Sequence, residues 1–229
     1  MEEINKELRE IIRSLKGYMK AESLAGIEEF YLNPTVVHGD GVRPLAESLS
    51  LESLRNEVAN CKLCPLYKTR KNPVFGNGSP KARLVFVGEA PGRDEDIQGL
   101  PFVGRAGELL TKIIEAMGLA RRDVYICNIL KCRPPENRNP LPTEIAACQE
   151  YLWQQLEVIN PEVVCCLGKF ACQVLLNQDL AITKLRGKFL DFRGIKVMPT
   201  FHPAYLLRNP GAKRLVWQDM QKIMKELKK

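Results

Sequence analysis

Histidine is scarce. The 229-residue chain carries only two, so a metal site built on three imidazoles is impossible. Long apolar runs are missing as well. None approaches the about 18 residues that a membrane-crossing helix needs, so no membrane partner is expected. The first residues, Met1 to Lys6, are charged and mixed in sign. No basic segment precedes an apolar core, so secretion is not expected and a cytoplasmic location is. Acidic residues are in the minority, with 27 Asp plus Glu against 34 Lys plus Arg, leaving a formal charge of +7. That surplus is compatible with a polyanionic partner without establishing one.

The remaining composition is ordinary. With 45% hydrophobic and 27% charged residues, the chain is not a disordered polymer, a collagen or a coiled-coil rod. At about 150 residues per domain, the length suits one large domain, or one domain with an extension. Cysteine is the exception, at eight residues. Without an export signal a disulfide framework is disfavoured. Metal ligation, catalysis and buried thiols remain.

Residues 1–48 read as an extension. Ile4, Leu8, Ile11, Ile12, Leu15, Tyr18 and Met19 recur at three- and four-residue spacing, which predicts amphipathic helix. Asn33-Pro34, Gly39-Asp40-Gly41 and Arg43-Pro44 then mark a linker. Residues 49–229 read as the main domain. Ser50 is placed to cap a helix containing Leu54 and Val58. Four short runs rich in Val, Ile or Phe follow, at 83–88, 124–130, 163–167 and 196–201. Helix-like stretches at 106–117, 143–159 and 169–178 lie among them. Strands alternating with helices predict βαβ units and a parallel sheet. The nearly continuous apolar strands predict a sheet covered on both faces. In such sheets the reactive loops follow the carboxyl ends of strands. The unusual residues stand there: Gly88 to Gly92, Asn128 to Arg138, and His202-Pro203-Ala204.

Cys61-Lys62-Leu63-Cys64 is a C-x-x-C pair that follows a helical stretch and precedes Pro65. A thioredoxin-like pair instead closes a strand and opens a helix. Cys132 and Cys148 are the available further ligands. The gap from Cys64 to Cys132 is far longer than the about 15–20 residues between pairs in a compact zinc ribbon. Spacing alone leaves zinc and a 4Fe–4S cluster open. Cys127, Cys165 and Cys166 fall inside predicted strands and Cys172 on a predicted helix, where packing is the expected role.

Four ordered motifs bring a family resemblance: Gly88-Glu89-Ala90-Pro91-Gly92-Arg93-Asp94-Glu95-Asp96; Pro101-Phe102-Val103-Gly104-Arg105-Ala106-Gly107; Asn128 ahead of Lys131-Cys132-Arg133-Pro134-Pro135-Glu136-Asn137-Arg138; and Phe201-His202-Pro203-Ala204-Tyr205-Leu206-Leu207-Arg208. The chain from about Leu51 to Lys229 resembles the family-4, iron–sulfur uracil-DNA glycosylases. The resemblance does not cover residues 1 to about 48.

The resemblance implies a three-layer α/β/α fold around a four-stranded parallel sheet. It implies a structural 4Fe–4S cluster on Cys61, Cys64, Cys132 and Cys148. It also implies hydrolysis of the bond between uracil and deoxyribose in DNA, single- or double-stranded, after the nucleotide is everted from the helix. His202 matches the histidine that donates to uracil O2, where negative charge collects. Asn128 matches the asparagine that reads the uracil edge. Phe102 matches the phenylalanine that stacks on the base. Glu89 is expected to shape the pocket and to block the thymine methyl. Many uracil-DNA glycosylases carry Asp where this chain has Ala90, so the water-positioning carboxylate is open among Glu89, Asp94, Glu95 and Asp96. Glu95 is the expectation. Leu206 matches a wedge position, and Arg133, Arg138 and Arg208 are expected phosphate contacts.

Two other readings compete. A relative that bonds covalently to the abasic sugar needs an extra histidine near the second strand, and none occurs between Asn128 and Cys148. A non-catalytic DNA-binding module would not need Asn128 and His202. A monomer is expected. A sliding clamp suits a repair enzyme as partner, but neither terminus carries an aromatic-ended clamp-binding peptide.

Overall fold

The computed structural model describes residues 50–176 and 180–228. The predicted helical extension and linker, residues 1–48, lie outside them.

The described chain builds one six-stranded sheet with the order β1-β3-β2-β4-β6-β5. These are β1 (Asn77–Gly78), β2 (Leu84–Gly88), β3 (Tyr125–Asn128), β4 (Val163–Leu167), β5 (Leu190–Phe192) and β6 (Ile195–Thr200). The four predicted strands are present and parallel, in the order β3-β2-β4-β6. The sheet exceeds the expected four strands because β1 and β5 add antiparallel edges. Those edges are two and three residues long, too short to show an alternating pattern in sequence.

Side-chain alternation divides the parallel strands between two cores. Val85, Val87, Cys127, Val164, Cys166 and Val197 face one side. Leu84, Phe86, Ile126, Cys165, Leu167 and Met198 face the other. This two-sided burial is why the strands read as unbroken apolar runs.

The α-helices among the described residues are α1 (Leu51–Asn60), α2 (Arg93–Gln98), α3 (Arg105–Ala116), α4 (Pro142–Ile159), α5 (Lys169–Leu176), α6 (Ile182–Leu185), α7 (Pro203–Arg208) and α8 (Lys213–Leu227). Leu152 and Leu156 of α4 and Cys172 and Leu175 of α5 cover the first face. Leu110 and Ile114 of α3, Leu206 of α7, and Val216, Met220 and Ile223 of α8 cover the second. Ser50 caps α1 as expected, its hydroxyl accepting from the Ser53 N–H at 3.1 Å. Asn160 ends α4 in the left-handed region, φ 48°. Cys127, Cys165, Cys166 and Cys172 are fully buried in the cores.

Register aligns the strand tips. Gly88 pairs with Asn128, and Leu167 with Thr200. The loops carrying Glu89, Lys131–Arg138 and His202 therefore leave the same edge of the sheet.

Candidate active site

Those loops enclose a cleft of about 500 Å³. Its lining includes Glu89, Glu95, Phe102, Asn128, His202 and Arg208. All four residues expected to contact uracil, Glu89, Phe102, Asn128 and His202, thus line one cavity, although they are spread across more than 110 residues of chain.

Asn128 ends β3 and is 2% exposed. Its Oδ1 is buried and, among the described residues, has no hydrogen-bond partner. A lone buried acceptor costs about 1–3 kcal/mol, so this atom marks a place where a donor is expected from outside. Phe102 is buried beside it, with φ at 53°. That conformation is costly for a residue with a Cβ and tends to persist at functional sites. Gly88 explains how the two side chains come together. A Cβ at Gly88 would fall 2.6 Å from Phe102 Cζ, so only glycine leaves room for the ring.

The Phe102 ring lies 5.6 Å from the His202 imidazole, centroid to centroid. His202 is the N-cap of α7. Its Nδ1 accepts from the Ala204 N–H at 3.1 Å. Nδ1 therefore holds a lone pair, and Nε2 carries the proton. Burial, reinforced by the Arg208 charge, pushes the imidazole down to about 4. At neutral pH it is an uncharged donor with one N–H to offer.

Glu89 follows β2 into the cleft. Burial pushes its carboxyl up to about 7, so it changes charge near neutrality. Glu95 also lines the cleft, but three backbone amides occupy its oxygens. Oε2 accepts from Gly92 N–H at 3.1 Å, and Oε1 from the N–H groups of Val103 and Gly104 at 3.0 and 3.1 Å.

The arginines divide. Arg208 stands in the cleft wall. Arg133 donates from Nε to Asn137 Oδ1 at 2.7 Å and is outside the lining. Arg138 is in the wall, but its two Nη groups bond Glu144 at 2.9 and 2.6 Å. Glu144 is buried and also accepts from the Leu141 N–H at 2.8 Å at the start of α4. Arg138 is thus committed to an ion pair that anchors the loop, which sequence did not anticipate.

Leu206 is a correction. It is 0% exposed in the core beneath α7, and a core side chain presents no surface to DNA. Its neighbours Tyr205 and Leu207 are 39% and 43% exposed. The residues that sequence reasoning missed include Tyr205 and Asn137, both in the cleft lining. Their place in the motifs was the only available signal.

Cys61, Cys64, Cys132 and Cys148 line a second, small cavity between α1, α4 and the loop after β3. Two nitrogen donors point at sulfur there. Arg70 Nη1 reaches Cys132 Sγ at 2.9 Å, and the Lys131 N–H reaches Cys148 Sγ at 3.3 Å. Without a metal, burial raises the thiols of Cys64 and Cys132 and pushes Cys148 up to about 12. Among the described residues, no three His, Cys, Asp or Glu side chains converge closely enough to hold a single ion.

A mostly parallel sheet with a cleft of about 500 Å³ at its strand tips and a cysteine-lined cavity beside it agrees with the comparison to known families. The model of the uracil DNA glycosylase superfamily matches residues 75–227. The chain is 48% identical over 183 residues to the type-4 uracil-DNA glycosylase of Thermotoga maritima, covering 78% of this chain and 95% of that protein. The Archaeoglobus fulgidus type-4 enzyme is 46% identical over 182 residues, covering 76% and 92%. A type-5 uracil-DNA glycosylase of Pyrobaculum aerophilum is more distant, 28% identical over 203 residues, 74% of this chain and 88% of that protein. The chain belongs to the type-4 uracil-DNA glycosylases.

No helix among the described residues is long and apolar enough to cross a membrane.

Proposed function

We propose that the protein is a DNA repair glycosylase that hydrolyses the bond between uracil and deoxyribose and leaves an abasic site. The observation that carries this reading is the buried Asn128 Oδ1, without a hydrogen-bond partner among the described residues, on a cleft shared with Phe102 and His202.

The nucleotide must leave the base stack to reach the cleft, at a few kcal/mol. Phe102 then stacks on the everted ring. Asn128 Oδ1 accepts from uracil N3–H and its amide donates to O4. Cytosine has no hydrogen on N3 and an amino group at position 4, so it leaves the amide mismatched. As the C1′–N1 bond breaks, its electron pair passes into the ring and collects on O2. The His202 Nε2–H donates there. A neutral donor suits this task, because it stabilises the anion without having to lose its own charge. Water adds to C1′ and gives up one proton, the other hydrogen staying on the new C1′ hydroxyl, and uracil takes up one proton on N1, so that C1′–O and N1–H replace C1′–N1 and the O–H lost from water. Glu89, which lines the cleft, faces the sugar's positive charge and orients that water, since Glu95 is occupied by three amides.

For DNA contact, Arg208 and Arg133 supply charge to phosphates. The wedge is reassigned from Leu206 to exposed Leu207 on α7.

The four cysteines suit a 4Fe–4S cluster. Four thiols around one cavity, with N–H groups directed at two sulfurs, match such a site. When bound, the cluster would cross-link α1, the loop after β3 and α4.

The test is uracil release from an oligonucleotide bearing one uracil, with His202→Ala as control. Release by the wild type and a loss of about 100-fold or more in His202→Ala support the reading. An inactive wild type carrying its full iron complement would leave only a DNA-binding role.

A further inference from the structure

The wall that carries Phe102 lies in the connection between α2 and α3, and it holds the ring with φ at 53°. Something outside the local sequence must keep it there. Two oppositely charged side chains grip this turn from opposite chemical sides. Arg121 comes from the connection between α3 and β3. Its Nη2 donates to the Pro101 carbonyl at 2.8 Å. Its Nη1 donates to the Phe102 carbonyl at 3.2 Å and to Thr111 Oγ1 on α3 at 3.1 Å. Glu95 takes the amides of the next two residues, Val103 and Gly104, on a single oxygen. Behind the turn, a Cβ at Gly107 would stand 1.9 Å from the Phe102 carbonyl oxygen. The carbonyl can therefore face Arg121 only because residue 107 is glycine. Arg122, next in sequence, has a side chain 90% exposed, so the engagement of Arg121 is not a general property of this basic pair.

We propose that Arg121 and Glu95 are positioning residues for base stacking. The cation binds two consecutive carbonyls and the anion two consecutive amides of one turn. Together they hold the Phe102 ring in its costly conformation before a base arrives, so that stacking requires no rearrangement of the loop. The inference rests on the reading of Phe102 as the stacking platform. It assigns Glu95 to the loop rather than to the water. A fork of two nitrogens is needed, so lysine does not replace Arg121.

The experiment is a double-mutant cycle of Arg121→Ala and Phe102→Ala. It reads kcat and KM on a single-stranded uracil oligonucleotide, the inhibition constant of free uracil, and thermal unfolding. Phe102→Ala is expected to lower kcat/KM about 10- to 100-fold and to weaken inhibition by uracil. Arg121→Ala is expected to do the same in the wild-type background. In the Phe102→Ala background it should add no more than about twofold, because the ring it positions is gone. Losses that multiply in the double variant would overturn this inference and leave the stacking reading intact. A Phe102→Ala enzyme with unchanged turnover and uracil inhibition would overturn both. If Arg121→Ala does not fold, Arg121→Lys takes its place in the cycle. Uracil inhibition of wild-type strength in Arg121→Lys would overturn the inference.

Discussion

Gly88 and Asn128 are register partners at the tips of β2 and β3, and a Cβ on Gly88 would stand 2.3 Å from Asn128 Oδ1. The Asn128 acceptor therefore occupies space that any other residue at position 88 would fill. Gly88→Ala is expected to displace Asn128 and Phe102 together. A displacement of about 1 Å costs about 100-fold in rate. Kinetics on a uracil oligonucleotide should show that loss, while circular dichroism should still report a folded α/β protein.

Glu89 links pH to both rate and stability. Its carboxyl titrates near 7 when folded, against 4.5 ordinarily, because burial disfavours the charge. The folded state holds its proton to higher pH than the unfolded state does. This contribution to stability is complete below about 4.5 and is lost as pH rises toward 7. If the carboxylate faces the sugar cation, turnover rises through the same range. Glu89→Gln should flatten that rise and lower the plateau. Above pH 7 it should also be the more stable protein by about 1 kcal/mol, after discounting for solvent screening. Rate–pH profiles and melting curves of the two proteins check both halves.

His202 behaves in the opposite sense. With its imidazole pushed down to about 4, it stays neutral across the range in which Glu89 titrates. No acid-side fall in rate with a midpoint near 6.5 is expected from it.

Leu206 and Leu207 should separate cleanly. Leu206→Ala removes a fully buried side chain and should cost about 2–5 kcal/mol of stability. Leu207→Ala should leave the melting temperature nearly unchanged. If Leu207 is the wedge, its loss slows uracil release from duplex DNA more than from single strands, where no stacked partner must be displaced. Equal effects on both substrates would return the wedge to another residue.

Cys132→Ala tests the ligand set. One thiol fewer should abolish the full iron complement and the brown absorbance near 400 nm that a cluster gives. It should also lower the melting temperature, because the loop after β3 loses its tie to α1 and α4. Full iron content with normal stability would show the ligand set to be wrong.

What the sequence made legible follows from how local each feature is. The parallel strands announced themselves because burial on both faces makes them continuously apolar, as in Val163–Leu167. Asn128 and His202 were visible because the loops that end strands are where such sheets place chemistry. Leu206 was misplaced because its position four residues after His202 fixes a helix spacing without saying which face meets the core. Glu95 was given a chemical role because its partners Val103 and Gly104 belong to the next loop. Arg121 was invisible for the same reason, since nothing near it in sequence indicates that it grips Pro101 and Phe102. The edge strands β1 and β5 owe their existence to neighbours rather than to any pattern of their own.

If Asn128 reads the uracil edge, one buried amide distinguishes uracil from cytosine. The most direct measurement compares release of uracil and of cytosine from otherwise identical single-stranded oligonucleotides by wild type and Asn128→Asp. The wild type should release uracil alone, and in Asn128→Asp the preference for uracil over cytosine should collapse. An Asn128→Asp enzyme that keeps the wild-type preference would contradict the account.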